Sequence, residues 1–90
     1  MARPSLDVTT FRAAARTAAH IGETLRRRRK LLGWSQEELT RRSGVKQENL
    51  SAIERGAPGV RLGTIFRLLA ALRLELSIGE RQASDPRPPA

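Results

Sequence analysis

Four polar side chains in a short stretch of this sequence have the chemistry that the edges of DNA bases require. They form the base-contact cluster: Lys46, Gln47, Glu48 and Ser51. A glutamine amide can bind adenine through two hydrogen bonds, a lysine ammonium group reaches the acceptors of guanine, and a carboxylate accepts from the amino group of cytosine. The cluster therefore predicts contacts with bases, and the alternative is that these are ordinary solvent-exposed side chains.

Glu48 leaves three interpretations open, because a carboxylate would face a polyanion at this position. It could read cytosine, it could repel DNA of the wrong sequence, or it could turn aside from the DNA. The type and spacing of the neighbouring residues favour none of the three.

A second set of polar side chains flanks the base-contact cluster and could bind the DNA backbone. Gln36 would open the preceding helix, where exposed amides and the positive end of the helix dipole suit a phosphate. Arginines on either side could clamp the backbone: Arg41, Arg42, Arg55 and Arg61. Phosphate contacts would position the protein on the duplex, whereas base contacts would specify the sequence.

A helix over residues 36–43 is predicted to position the first of these groups. Ser35 and Glu38 form an S-x-x-E capping box at its start, in which the hydroxyl binds one orphan amide and the carboxylate binds another. Gly44 ends the helix and makes a tight turn, and Val45 fills the inside of that turn. The turn sets the angle at which the next helix leaves.

The next predicted helix carries the base-contact cluster. It runs from Gln47 to Arg55 and ends at Gly56, with Leu50 and Ile53 three positions apart on its inner side. That spacing leaves the cluster on the outer side. Two short helices joined by a tight turn are the layout of a helix-turn-helix, which places its second helix in the major groove.

Two helical stretches are predicted before this unit. Residues 11–19 form a short helix capped by Thr9 or Thr10, with alanines on one face. Gly22 weakens any join between that helix and the next. The pattern over 23–32 is strongly helical, and the glycine that follows it is a good C-terminal cap.

A fourth helix and a strand are predicted after the unit. Helix 62–72 has one apolar stripe: Leu62, Ile65, Leu69 and Leu72. Residues 72–78 then alternate between apolar and polar, which indicates a strand. A lone strand would expose Leu74, Leu76 and Ile78, so pairing with a second copy across a two-fold axis is expected. The alternative is an irregular tail packed back on its own subunit.

Two features near the first helix could have either a structural role or a role in binding. Residues 26–30 are five consecutive basic side chains, which could form a phosphate or membrane patch. On a helix they point in all directions, so a solvated face with one paired member is favoured. Trp34, the single tryptophan, is predicted to lie in the core rather than to stack on bases.

The composition narrows the class of function. A net charge of +8 on 90 residues points to a polyanionic partner, with nucleic acid ahead of an anionic membrane. There are no cysteines, and the one histidine, His20, has no partner for catalysis, so no enzyme, metal site or cofactor is expected. With no apolar run of bilayer length, the protein is expected to be soluble, cytoplasmic and associated with the nucleoid.

The order of these residues resembles the Cro/phage-repressor (XRE-type) helix-turn-helix family. The resemblance covers residues 21–72 and is carried by an arginine-rich first helix followed by Gly33-Trp34-Ser35-Gln36, Leu39, Gly44-Val45, Leu50, Ile53-Glu54 and Gly56. It implies a mainly α, lambda-repressor-like bundle of four to five helices. It also implies that Gln36 contacts phosphate, that the base-contact cluster faces bases, and that Arg29 forms a buried ion pair with Glu54. Thr40 departs from the pattern, because the family usually has a small alanine there.

The second half of the pattern is similar to HipB-type antitoxins. Shared features are Gly-Trp-Ser-Gln, then Gly-Val-Lys-Gln, then a fourth helix that runs into an alternating strand. This likeness implies a homodimer whose strands pair, with recognition helices about 34 Å apart on a palindromic operator. It also implies a partner toxin, a HipA-type serine/threonine kinase.

The predicted organisation has three parts. Residues 1–20 are a partly helical N-terminal extension, residues 21–80 are the DNA-binding domain with a dimerising strand at 73–79, and residues 81–90 are a disordered tail. The predicted function is a transcriptional repressor that binds a specific sequence of double-stranded DNA as a homodimer and is the antitoxin of a HipBA-type toxin-antitoxin pair. Three alternatives are kept beside it. These are a regulator with no toxin partner, a polybasic module that binds RNA or lipid without sequence preference, and an interaction domain that has lost DNA contact.

Overall fold

The computed structural model describes residues 11–81, which fold into four helices. These are α1 (Ala18–Leu31), α2 (Gln36–Ser43), α3 (Gln47–Glu54) and α4 (Leu62–Ala71). The predicted mainly helical bundle is confirmed, and the described residues contain no strand. The cap residues Thr9 and Thr10 and the tail over 82–90 lie outside the described residues.

The helix expected over residues 11–19 is wrong, because α1 itself begins at Ala18 and the chain before it is not helical. Thr17 is the cap: its hydroxyl accepts from the His20 amide at 3.1 Å. In return, His20 Nδ1 accepts from the Arg16 amide at 3.0 Å. The first bond satisfies a helix-start amide and the second ties the preceding residue to the helix, which begins five residues before the predicted start at residue 23.

Gly22 lies inside α1 rather than at a weak join, which corrects the sequence interpretation. A Cβ atom at this position would lie 2.0 Å from the carbonyl oxygen of Ile53 at the end of α3. The glycine therefore lets the two helix backbones approach more closely than any side chain would allow. Its poor helix propensity is outweighed by this close approach.

The core is formed by apolar side chains from all four helices and from the turn between α2 and α3. They are Leu25, Leu39, Val45, Leu50, Ile53, Ile65, Leu68, Leu69 and Leu72. Trp34 packs against this core, partly buried, as predicted. On α4 the predicted stripe is wrong at one end, because Leu62 is 62% exposed while the unpredicted Leu68 is fully buried. The contact face of α4 is thus shifted around the helix, which leaves Leu62 and Phe66 outward.

Thr40 fits at its position on α2, but its hydroxyl oxygen is buried and has no hydrogen-bond partner among the described residues. A buried hydroxyl without a partner costs free energy, so the departure from a small apolar residue is tolerated rather than neutral.

The C-terminal segment, residues 73–81, leaves the domain through a tight turn. Arg73 has a left-handed φ of 61°, and the Leu74 amide donates to the Leu69 carbonyl at 2.8 Å. Leu74 packs partly against the core, whereas Leu76 and Ile78 are 44% and 94% exposed. No strand forms among residues 11–81, because a strand needs a neighbour, so pairing between two copies remains a prediction.

Candidate nucleic-acid interface

The turn between α2 and α3 is fixed from several sides. Gly44 ends α2 in the left-handed conformation with φ 76°, and its amide donates to the Thr40 carbonyl at 2.8 Å. Val45 is 3% exposed, so it fills the inside of the turn as predicted. From α4, Arg67 donates to the Gly44 carbonyl at 3.4 Å, a contact that the sequence did not indicate. The orientation of α3 relative to α2 is therefore set by both local and long-range contacts.

The capping box at the start of α2 is only half formed. Ser35 Oγ accepts from the Glu38 amide at 3.1 Å, as predicted. The Glu38 carboxylate is bound instead by two arginines of its own helix, Arg41 and Arg42. Hydrogen bonds from Arg42 and then from Arg41 lower the pKa of Glu38, so this carboxyl group is ionised at neutral pH.

The base-contact cluster lies at the start of α3 and along its outer side. Lys46 is the N-cap residue and makes no side-chain cap; with Gln47 and Glu48 it is exposed to solvent. Ser51 is half-buried, and its hydroxyl accepts from Arg55 Nη1 at 2.9 Å. The structure thus places Lys46, Gln47 and Glu48 at the start of α3, where the free amides of the first turn add a partial positive charge, and Ser51 about one turn further along.

A chain of hydrogen bonds links the interior of the domain to this cluster. Arg29 and Glu54 form a bidentate ion pair, with Nε–Oε2 at 2.7 Å and Nη2–Oε1 at 2.9 Å. Gln36 donates to the same carboxylate at 3.0 Å. Gln47 in turn donates to Gln36 Oε1 at 3.5 Å. The two glutamine amides expected at the phosphate and at the base are therefore neighbours, joined by a long contact at the protein surface.

The ion pair is buried and anchors the start of α2 as well. The side chains of Arg29 and Glu54 are 8% and 3% exposed, and Arg29 Nη1 also donates to the Trp34 carbonyl at 2.8 Å. Burial alone would raise the pKa of Glu54, but hydrogen bonds from Arg29 and Gln36 outweigh it and hold the pKa below its ordinary value. The hydrogen bond to Glu54 raises the pKa of Arg29. Both groups are charged at neutral pH.

The four arginines expected at phosphates occupy different settings. Arg41 and Arg42 are tied to Glu38, and the Arg42 guanidinium lies over the Trp34 ring at 4.1 Å. Arg55 is exposed beside Ser51. Arg61 is exposed at the N-cap of α4. Arg41 and Arg42 would have to exchange a carboxylate for a phosphate, whereas Arg55 would exchange only a neutral hydroxyl.

The basic run over 26–30 divides in two. Arg26, Arg27 and Lys30 are exposed, as the solvated-face interpretation predicts. Arg28 is 5% exposed and is the exception, because Leu25 and Arg28 lie on the same side of α1. The three-residue spacing from Leu25 indicated that Arg28 is buried, but its charge favoured the opposite interpretation.

The described residues offer no sign of two other kinds of site. No helix among them is long and apolar enough to cross a membrane. Within residues 11–81, no group of three or more metal-ligating side chains lies together.

Comparisons with known proteins place this geometry among helix-turn-helix proteins. A family model described as "Helix-turn-helix" (HTH_3) matches residues 25–78. The antitoxin HipB of Escherichia coli K12 is 32% identical over 54 residues, which cover 60% of this chain and 61% of HipB. The chain thus matches about three fifths of that relative's length.

Two solved structures have the same fold. One chain of a HipA-HipB-O2-O3 complex superposes with a TM-score of 0.72 at 24% identity, covering 79% of this chain and 100% of that chain. The restriction-modification controller protein C.AhdI from Aeromonas hydrophila superposes with a TM-score of 0.60 at 36% identity, covering 64% of this chain and 88% of that chain.

Proposed function

We propose that this chain, which belongs to the helix-turn-helix family HTH_3 and is a DNA-binding regulator, is a repressor. It would repress transcription by occupying a specific operator as a homodimer. The observation that carries the proposal is the hydrogen-bonded chain from the buried Glu54 through Gln36 to Gln47. It places the exposed Gln47 amide at the tip of α3 beside Gln36, a side chain that is bound to the buried ion pair. Pre-oriented side chains bind bases with less loss of conformational freedom, so they discriminate better than mobile ones.

In this proposal α3 is the recognition helix. Gln47 binds adenine through two hydrogen bonds, and Lys46 reaches guanine acceptors at the edge of the site. Ser51 contacts a base either directly or through Arg55, which already holds its hydroxyl. Glu48 stands one turn before that pair, where it reads cytosine or repels other bases.

The DNA backbone binds at both ends of the recognition helix. Gln36 presents its amide at the start of α2, next to the positive end of the helix dipole. The arginines proposed at phosphates are Arg41, Arg42, Arg55 and Arg61. A dimer that contacts about 8 phosphates would bind with a slope of log K against log salt near about −7. A slope near zero would contradict the proposed contacts with the DNA backbone.

The dimer is proposed to form through residues 73–79, whose strands would pair across a two-fold axis. The exposed Leu76 and Ile78 support this, because a second copy would cover both side chains. Such a dimer would place two recognition helices about 34 Å apart and would select a palindromic operator. A protein truncated after Arg73 is expected to sediment as a monomer; a truncated protein that still dimerises would exclude this segment as the interface.

The likeness to HipB, which is found in a HipA-HipB-O2-O3 complex, supports a second role. The protein is proposed to hold a HipA-like serine/threonine kinase toxin and to repress its own operon in the cytoplasm. The relatives compared are named as an antitoxin and a controller protein, and none as an enzyme.

Affinity purification of tagged protein from its native cells, with mass analysis of the chains that co-purify, tests the partner. A stoichiometric kinase-like chain would support the antitoxin role. Recovery of only DNA and the protein itself would leave a regulator with no toxin partner.

A further inference from the structure

Arg28 is a buried cation that the DNA-binding proposal does not use. Its Nε donates to the Leu72 carbonyl at 3.0 Å, a buried contact between residues 44 positions apart. Leu72 is the C-cap residue of α4 and is fully buried. The guanidinium also lies 5.4 Å from the centre of the Phe11 ring, so the N-terminal arm, residues 11–17, covers it. Arg28 therefore ties α1 and the N-terminal arm to the end of α4.

This arrangement is costly if its only purpose is to stabilise the fold. Arg28 Nη1 is buried and has no hydrogen-bond partner among the described residues. Its neighbour Arg29 is buried against a carboxylate, whereas among the described residues Arg28 meets a carbonyl oxygen and an aromatic ring but forms no ion pair. Burying a cation without a counter-charge is unfavourable, and a neutral donor of similar shape would bind the same carbonyl at lower cost. The contact is thus better explained by what it holds in place.

What it holds is the point where the chain changes direction. The Leu72 carbonyl belongs to the peptide that leads into Arg73, whose φ is 61°. The Arg73 amide donates to the Ala70 carbonyl at 3.1 Å, and the Leu74 amide to the Leu69 carbonyl at 2.8 Å. A non-glycine residue in the left-handed conformation persists only when its surroundings fix it. Holding the carbonyl before Arg73 fixes the orientation of that peptide and hence the direction of everything after it.

We propose that Arg28 is a positioning residue for dimerisation, which orients residues 73–79 so that they meet the same segment of a second copy. The inference rests on the proposed dimer. The hydrogen bond from Nε to the Leu72 carbonyl sets the exit angle, and Phe11 excludes water from it. The N-terminal arm thereby contributes to the dimer without touching the partner.

Two substitutions separate the hydrogen bond from the bulk of the side chain. Arg28→Gln places an N–H donor at the position of Nε, and Arg28→Met places a methyl group there in a side chain of nearly the same shape. Sedimentation equilibrium should show dimerisation of Arg28→Met about tenfold weaker than that of Arg28→Gln, the effect of one buried hydrogen bond. Arg27→Met is the control, because Arg27 is exposed and lies over the same ring at 5.6 Å; it should dimerise like the unaltered protein.

The ratio of the affinities for two duplexes completes the test, because partial loss of folding would lower both affinities alike. The probes are a two-fold symmetric duplex selected from a random pool by the unaltered protein and a duplex that holds one half of it. Arg28→Met should bind the half-site normally and the full site about tenfold more weakly. Equal loss on both duplexes, or equal dimerisation of the Gln and Met variants, would overturn the positioning role alone. An unaltered protein that stays monomeric at every concentration would overturn the proposed dimer together with it.

Discussion

Two regions differ in how many of their contacts a single chain supplies. One is the contact between α1 and α3, and the other is the C-terminal segment. At the first, Gly22 brings two backbones into contact and Glu54 receives hydrogen bonds from Arg29 and Gln36. In the second, residues 75–81 form no regular structure, and Leu76 and Ile78 are exposed. We call the first the closed region, because its contacts are complete within a single copy. Residues 73–81 are the open region, which would gain further contacts in the proposed dimer. One copy is therefore enough to shape α3, and in the proposed dimer the open region would set the spacing between two such helices.

The largest expected effect tests the closed region. Glu54→Ala would leave the buried Arg29 guanidinium without its counter-charge, so the free energy of unfolding should fall by about 3 kcal/mol. Urea denaturation measures this directly. Glu48→Ala, on the exposed outer side of α3, is the control and should cost less than about 1 kcal/mol. Equal midpoints for Glu54→Ala and the unaltered protein would mean that the ion pair contributes nothing.

A methyl group at the helix contact should cost less. Gly22→Ala places a Cβ 2.0 Å from the Ile53 carbonyl oxygen, so the helices must separate; overpacking of this kind costs about 2 kcal/mol. Gly63→Ala on α4 is the matched control, because nothing lies within 4 Å of its Cβ, and it should gain up to about 1 kcal/mol from helix propensity. Similar thermal shifts for both variants would show that α1 and α3 are not in close contact.

Acid should weaken the closed region, though less than the Glu54 mutation does. The pKa of Glu54 is lower in the folded protein than its ordinary value, so the unfolded chain binds a proton first. The resulting stability is complete above the unfolded pKa of about 4.3 and is lost as the pH falls through the folded pKa. Glu38 has a shift of the same sign. Urea midpoints across this range should fall less steeply in Glu54→Ala, and an identical slope would contradict the assignment.

The smallest change in stability is expected in the open region. Leu76→Ser combined with Ile78→Ser alters side chains that are already exposed, so the free energy of unfolding of the monomer should change by less than about 0.5 kcal/mol. Dimerisation measured by sedimentation should nevertheless be lost. A dimer of unchanged affinity would place the interface elsewhere, and a large loss of monomer stability would mean that these side chains pack within one copy.

The helix-turn-helix unit could be predicted from sequence because its signals are local. Ser35 caps α2 through a neighbouring amide, Gly44 supplies a left-handed turn, and the spacing of Leu50 and Ile53 fixes which side of α3 faces inward. The same spacing placed the base-contact cluster outward. Each of these features depends on residues within one turn of each other.

The errors arise where a distant contact decides the outcome. From sequence, Gly22 indicates a break in the helix, and only its contact with α3 explains its position inside α1. Leu62 and Leu68 are the same residue type on one helix, yet one is exposed and the other is buried. Which of the two leucines faces inward depends on how α4 docks. Arg28 is paired with a carbonyl 44 positions away, which no local pattern indicates.

The most direct test of the central claim is the effect of Gln47→Ala on two kinds of DNA. A duplex selected from a random pool by the unaltered protein provides the specific site, and unselected duplex of the same length provides the reference. The account predicts a loss of about 1–3 kcal/mol on the selected site and little change on the reference. Equal losses on both, or a pool that yields no preferred sequence, would contradict base reading by the recognition helix.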